Sequence, residues 1–507
     1  MTLLMKRNTR NRLDWRISDL FVLAIVALLF AGPYFVSPAG WFGDDGIVLQ
    51  YAQRNVHSNA SDVFLYKDVS TGRYRPLMQI LAVFTYRHFG LNSVLIRAAS
   101  YIAFLTTLAS LYALLRGLNQ SRWVPLFGMV WFAAIPVKTQ ALFRPGRPEI
   151  FVTAFCLLSV LCLQNGGWTI RRRDEVRNSS AWLASAIVFA VGAALWGEIG
   201  ISVFLVMALW IIAPCFIDSR GIATNNTSIL HTTVQRLFLP IVGIAIYLTW
   251  YRLVGAPLLQ STDDRYHFHL GWNVCSNILV AFSGLVSPVS SPLVARIVHK
   301  TAGFQDWLCA AMGILSLGGV VGLVGISIGR ERRSLQLVAL FLGSALMSLV
   351  PFVFVGHVSE VYLAQAAAFL SGCAAILTGT AFDKMSRLKS RLFSAASLTL
   401  VSAMLFSSLG AFALLQHNAR VFAILYAELL RRQHDDGVEE VLLVPPRIPF
   451  AYSEYYLPYN LLFNYQYTDL PKIEWLLGGR ALPNNHTATR AVYQVDIDGR
   501  TTLYHPR

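Results

Sequence analysis

Two adjacent acids, Asp44 and Asp45 in "WFGDDGIVLQYAQ", stand just after the first long apolar run of the chain. Side-by-side carboxylates repel one another, and partial burial adds a desolvation cost; both raise a carboxylate pKa toward the range of a general base. Basic and acidic groups recur later at similar places. Arg73 and Arg75 lie in "GRYRPL", Arg144, Arg147 and Glu149 in "FRPGRPEI", Glu198 in "LWGEIG", and His357, Glu360 and Tyr362 in "GHVSEVYLA". Ionisable groups at membrane depth are costly, so each is a candidate for function; singly, each also fits a snorkelling or capping residue.

As a set, these residues suit transfer from a lipid-phosphate-linked sugar. A guanidinium fork binds phosphate and stabilises the negative charge that grows on it as the glycosidic bond breaks. A carboxylate takes the proton from an acceptor hydroxyl as that oxygen attacks the anomeric carbon. One direct displacement inverts configuration and needs a single base. A site at the membrane surface leaves the polyprenyl tail in lipid while a glycan, lipid or protein acceptor arrives from water.

The elements that must position these groups are membrane spans. The chain has 507 residues, 55% hydrophobic and 14% charged, with a mean hydropathy of +0.51. Apolar runs long enough to cross a hydrocarbon core recur, since about 20 helical residues suffice. Spans are expected near 19–38, 95–115, 122–138, 149–164, 180–196, 198–217, 236–254, 305–328, 334–355, 362–382 and 392–414, about eleven crossings. Segments 76–90 and 272–286 read as helices lying at the interface.

The formal charge of +15 is explained by position and does not imply a nucleic-acid partner. The basic N-terminus, "RRRDEVR", "GRERR" and "DKMSRLKSR" all fall on one side of this path, the cytoplasmic side by the positive-inside rule. The acids and arginines above then face outward, as does the C-terminus. The first apolar run lacks a cleavage site and reads as a retained span of a multi-pass bacterial inner-membrane protein. Five of the six cysteines fall in apolar spans, which implies no disulfide framework.

After 1–415 the material changes. Residues 416–507 are polar and aromatic-rich, with "EEVLLVPP" reading as a strand and "YQVDIDGRTTLYHP" as a hairpin turning at Asp498-Gly499. A small outer α/β module is expected there. Its tyrosines (Tyr452, Tyr455, Tyr456, Tyr459, Tyr465, Tyr467) suit a small core and could also stack on sugars. The loop "DDRYHFH", with Asp263, Asp264, Arg265, His267 and His269, is a further polar cluster.

The order of "GDD" after the first span, "YRPL" before an interfacial helix, "FG" with an arginine soon after (Phe89, Gly90, Arg97), "RPE" opening a span and "GE" opening another resembles the GT-C glycosyltransferases. The similarity is to the protein O-mannosyltransferase, aminoarabinose-transferase and TMTC-like group. It runs over roughly the first 220 residues and returns at "SEVYLAQAAAFL". The resemblance implies an all-α polytopic GT-C fold and an inverting, polyprenyl-phosphate-sugar-dependent transferase. It implies that the first acid of the pair, Asp44, is the base.

Two departures stand out. Arg147 occupies the place of a histidine in the family's element at Glu149, and Val361 and Ala364 replace an arginine and a tyrosine of the element around Glu360 and Tyr362. Another cation must then hold donor phosphate, with Arg75, Arg144, Arg147 and His357 as candidates. No cofactor is required. Asp44, Asp45 and Glu149, with Glu198, Glu360 and His357, could assemble an oxygen-rich divalent-metal site, although no tight ligand spacing specifies one. The competing classes are a lipid-sugar flippase or transporter, which would place charges near the bilayer midplane, and an O-antigen polymerase or ligase, whose catalytic loop falls late in the chain.

Overall fold

The computed structural model describes residues 21–26, 28–29, 46–65, 74–118, 121, 123–144, 147–169, 180–217, 226–254, 271–290, 293–294, 297, 302–327, 332–354, 360–436, 440–444, 472–475, 490–495 and 501–503. Two short helices, α1 (Gly46–Arg54) and α2 (Ala60–Phe64), lead to α3 (Pro76–Phe89). A bundle follows: α4 (Val94–Leu118), α5 (Trp123–Ala134), short α6 (Thr139–Phe143), α7 (Glu149–Asn165), α8 (Ser180–Trp196), α9 (Ser202–Ile217) and α10 (Asn226–Leu253). It continues with α11 (Trp272–Val286), α12 (Phe304–Ser327), α13 (Arg332–Val353), α14 (Ala364–Lys384) and α15 (Arg387–Asp436).

Six of these helices are long and apolar enough to cross a membrane, and five shorter apolar segments accompany them. The chain is a multi-pass membrane protein. Every expected span from 95 onward coincides with a helix, and both expected interfacial segments are helical, as α3 and α11. The first expected span, 19–38, lies mostly outside the described residues.

The bounds shift where backbone chemistry overrides hydropathy. The span expected over 122–138 ends as a helix at Ala134. Pro136 has no N–H to donate and pushes Ile135 into an extended conformation (φ −57°, ψ 124°), so the chain restarts as a 3₁₀ turn, Pro136–Lys138. The span expected from 198 opens with another such turn, Glu198–Ile201, before α9 begins. A third, Glu360–Leu363, precedes α14.

Small residues set the packing of the bundle. α14 begins "AQAAAFLSGCAA" and is buried over most of its length, whereas α12 exposes Phe304, Ile314 and Leu315 as a lipid-facing helix would. α15 runs unbroken for 50 residues, well beyond the 415 boundary. Beyond it four strands, β1 (Glu440–Val444), β2 (Lys472–Trp475), β3 (Arg490–Val495) and β4 (Thr501–Leu503), form one sheet in the order β2-β1-β3-β4. β1 is parallel to β2 and β3, and β3 pairs antiparallel with β4 in the hairpin expected around Asp498-Gly499. The tail tyrosines and "DDRYHFH" lie outside the described residues.

Candidate active site

Arg75 caps the N-terminus of α3, followed by Pro76 at its first position and by no acid in its first turn. A helix N-terminus is electropositive, so a cation there is unfavourable unless an anion joins it. The guanidinium is about nine-tenths buried, and its Nε donates to Glu198 Oε2 at 2.9 Å. That contact bridges 123 residues of sequence.

A tight turn delivers Glu198 to this spot. α8 ends at Trp196, the Gly197 N–H donates to the Ala193 carbonyl at 3.3 Å, and the Gly200 N–H donates to the Gly197 carbonyl at 2.8 Å. Gly200 rests on the Ala193 backbone, where a Cβ would overlap the carbonyl group. A Cβ on Gly197 would meet Pro148 Cγ at 3.1 Å and Arg75 Nε at 3.9 Å. "RPE", "GE" and "YRPL" therefore converge, three motifs far apart in the chain.

Glu149 opens α7 beside this junction. It is 2% exposed, and neither carboxylate oxygen has a hydrogen-bond partner among the described residues. Two residues on, Phe151 stacks flat on Trp196 with ring centroids 4.0 Å apart, which clamps the starts of α7 and the end of α8 together. Arg144 and Arg147 are both buried, and the Arg147 N–H donates to the Arg144 carbonyl at 3.3 Å.

A polar link fixes the depth of the acid-headed helices. Ser202 Oγ on α9 donates to Gln365 Oε1 on α14 at 3.0 Å, and Gln365 Nε2 donates to Cys156 Sγ on α7 at 3.2 Å. Glu149, Glu198 and Glu360 each stand a few residues before one member of this link. Their backbones thus gather at one end of the bundle. Tyr362, in the turn headed by Glu360, is buried and stacks on Phe352 of α13 at 4.4 Å.

Aromatic residues of α10 line the other flank. Trp250 Nε1 donates to Tyr74 Oη at 2.9 Å, and Tyr74 Oη donates to the Phe64 carbonyl at 2.8 Å. Tyr251 meets Tyr74 edge-on at 5.9 Å and Tyr247 at 5.8 Å. Burial pushes the Tyr74 phenol up, and its hydrogen bond with Trp250 offsets part of that. Tyr247 and Tyr251 both lie within electrostatic reach of Glu198 and Arg75.

Of the expected site residues, the structure joins Arg75 to Glu198 and brings the "RPE" element alongside. Asp44, Asp45, Arg73 and His357 lie outside the described residues, although the acid pair immediately precedes α1. α1 packs on α3, and its Gln53 Nε2 donates to Tyr86 Oη of α3 and to Tyr426 Oη of α15, each at 3.3 Å. Among the described residues no three His, Cys, Asp or Glu side chains form a metal-sized group.

Two features escaped the reading of the sequence. Lys138, fully buried in the Pro136–Lys138 turn with Nζ donating to the Ile135 carbonyl at 3.1 Å, lay inside an expected span; a lone lysine in an apolar run was its signal. Tyr247, Trp250 and Tyr251 share a helix face at i, i+3 and i+4. An aromatic girdle at a membrane surface gives the same pattern.

No protein-family model and no curated protein sequence matches the chain. Its structure is similar to ArnT from Cupriavidus metallidurans bound to undecaprenyl phosphate, with a TM-score of 0.50 and 13% identity over 87% of this chain and 84% of that one. The apo form of the same protein matches with a TM-score of 0.50 and 13% identity over 90% and 85%. The Archaeoglobus fulgidus oligosaccharyltransferase matches with a TM-score of 0.48 and 8% identity over 87% of this chain and 64% of that one. The chain has the GT-C fold.

Proposed function

We propose, for this GT-C-fold membrane protein, that it moves a sugar with inversion from a polyprenyl-phosphate donor to an acceptor hydroxyl on an envelope glycan, lipid or protein, at the periplasmic face of a bacterial inner membrane. The observation that carries this reading is the Arg75–Glu198 pair at the α3 N-terminus. Nε is spent on the carboxylate at 2.9 Å, which orients the guanidinium and leaves its two terminal amino groups to grip an oxyanion. ArnT was solved with undecaprenyl phosphate, and the shared fold makes that lipid phosphate the first ligand to test.

Asp44 serves as the base. It lies just ahead of α1, which packs on the helix that Arg75 caps. Once the acceptor oxygen is deprotonated and attacks, the lipid phosphate leaves with the bonding electrons and Arg75 stabilises its charge. Arg144 and Arg147 add positive charge near the same end. Glu149 holds acceptor or donor hydroxyls; a divalent cation recruited there would supply electrostatic stabilisation. Residues 1–415 form the catalytic domain and 416–507 a small outer domain, with α15 continuous across the boundary.

Asp44→Asn should lower transfer by roughly 10²- to 10⁴-fold, the usual worth of a general base, with undecaprenyl phosphate still bound. Near-normal turnover removes Asp44 from this role. Mass spectrometry of envelope glycans from a deletion strain should show one missing sugar, which names donor and acceptor together; an unchanged glycan profile rejects the envelope assignment.

A further inference from the structure

Glu198 has work left over after binding Arg75. Oε2 accepts the guanidinium N–H, while Oε1 is buried and has no hydrogen-bond partner among the described residues. Tyr247 is 5% exposed, and its hydroxyl is likewise buried without a hydrogen bond. Native proteins rarely leave such groups unpaired, and those that do occur are accounted for by ligands, catalysis or waters. Tyr247 packs on Tyr251 with ring centroids 5.8 Å apart, and Tyr251 in turn meets Tyr74, the chain neighbour of Arg75, at 5.9 Å, which places the two orphaned atoms on one flank of the Arg75–Glu198 pair.

Their chemistry selects a ligand. A carboxylate oxygen only accepts a hydrogen bond, and a phenol both donates and accepts. A phosphate oxygen brought to Glu198 Oε1 would meet a like charge. An alcohol meets neither objection, because it donates to Glu198 and accepts from Tyr247 at once. The surrounding rings favour a flat ligand with an apolar face: Tyr251 and Tyr74 stand edge-on at 5.9 Å, and Tyr74 is locked by Trp250 and the Phe64 carbonyl. We propose that Glu198 Oε1 and Tyr247 Oη form a subsite for a hydroxyl of the lipid-linked sugar, beside the phosphate held by Arg75. This rests on the reading of Arg75 as the donor-phosphate clamp.

The test uses the full chain in lipid nanodiscs and titrates undecaprenyl phosphate alone, then undecaprenyl phosphate carrying glucose, galactose, mannose or arabinose. At least one sugar-bearing lipid should bind about fivefold to tenfold more tightly than the bare lipid phosphate, the worth of one well-made hydrogen bond. Tyr247→Phe removes only the orphaned hydroxyl and should erase that preference, leaving bare undecaprenyl phosphate within about twofold of the parent. A preference that survives Tyr247→Phe, or its absence across all four sugars, overturns the subsite. Arg75→Ala separates the two ideas: if it leaves bare undecaprenyl phosphate binding unchanged, the phosphate clamp fails, whatever the sugars do.

Discussion

The middle of the bundle and its Arg75 end treat buried polar groups in opposite ways. In the middle, hydroxyls close on nearby carbonyls. Thr107 and Ser344 donate to the carbonyls one turn back at 2.8 Å, Ser159 donates to the Ala186 carbonyl at 2.8 Å, and Trp210 Nε1 donates to Ser344 Oγ at 2.9 Å. At the Arg75 end, Glu149, Glu198 Oε1, Tyr247 Oη, Trp196 Nε1 and Gln79 Oε1 are buried with no hydrogen-bond partner among the described residues. Satisfied groups stabilise a fold, whereas orphaned ones cost stability and persist where a ligand completes them. Among the described residues orphaned atoms also occur elsewhere, at Trp168 Nε1 and Ser397 Oγ, so it is their clustering around Arg75 and Glu198 that sets this end apart from the middle.

Substitutions can break or sharpen that contrast. The largest effect is expected at the hinge between the two regions: Gly200→Ala drives a Cβ into the Ala193 backbone and should cost roughly 3 kcal/mol, the upper end for overpacking. Thermal unfolding in detergent reads it, and an unchanged midpoint would show that the turn relaxes freely. Next, Arg75→Ala should weaken undecaprenyl phosphate binding by about 2 kcal/mol, near thirtyfold, as the loss of a charge-assisted contact.

Glu149→Gln should move stability and activity in opposite directions. Removing a buried, unpartnered charge should stabilise the chain by about 1 kcal/mol while transfer falls. A lower melting midpoint would mean that the carboxylate contributes to the scaffold, and the contrast would fail at its clearest residue. The smallest effect belongs to the lipid-facing surface of the middle. Thr106, half-buried and bonded to its own helix at 2.9 Å, should tolerate valine within about 0.5 kcal/mol.

Much of the fold was legible because a bilayer imposes length and polarity on a helix directly. Ten of the expected spans can be laid over α4 to α15, and β3 and β4 pair antiparallel on either side of the turn expected at Asp498-Gly499, which itself lies outside the described residues. The misplaced end at Ala134 came from counting hydropathy through Ile135-Pro136, where the missing proline N–H ends the helix. The candidate residues were legible as a list, since charges at span ends are conspicuous. Their pairing was not: Arg75 had five acids within the same set to choose from, and nothing in the spacing selected Glu198.

The sequence by itself determined a polytopic membrane chain with its ionisable residues at span ends, because apolar length and charge position act locally and can be read residue by residue. Only the tertiary structure decided that Glu198 reaches Arg75 across 123 residues, that Pro148 and Gly197 press their motifs together, and that Tyr247 packs beside them through Tyr251 and Tyr74. Those are consequences of how small residues let α7, α8, α9 and α14 approach one another. Packing depth of that kind depends on all the helices at once, so no single stretch of the chain encodes it.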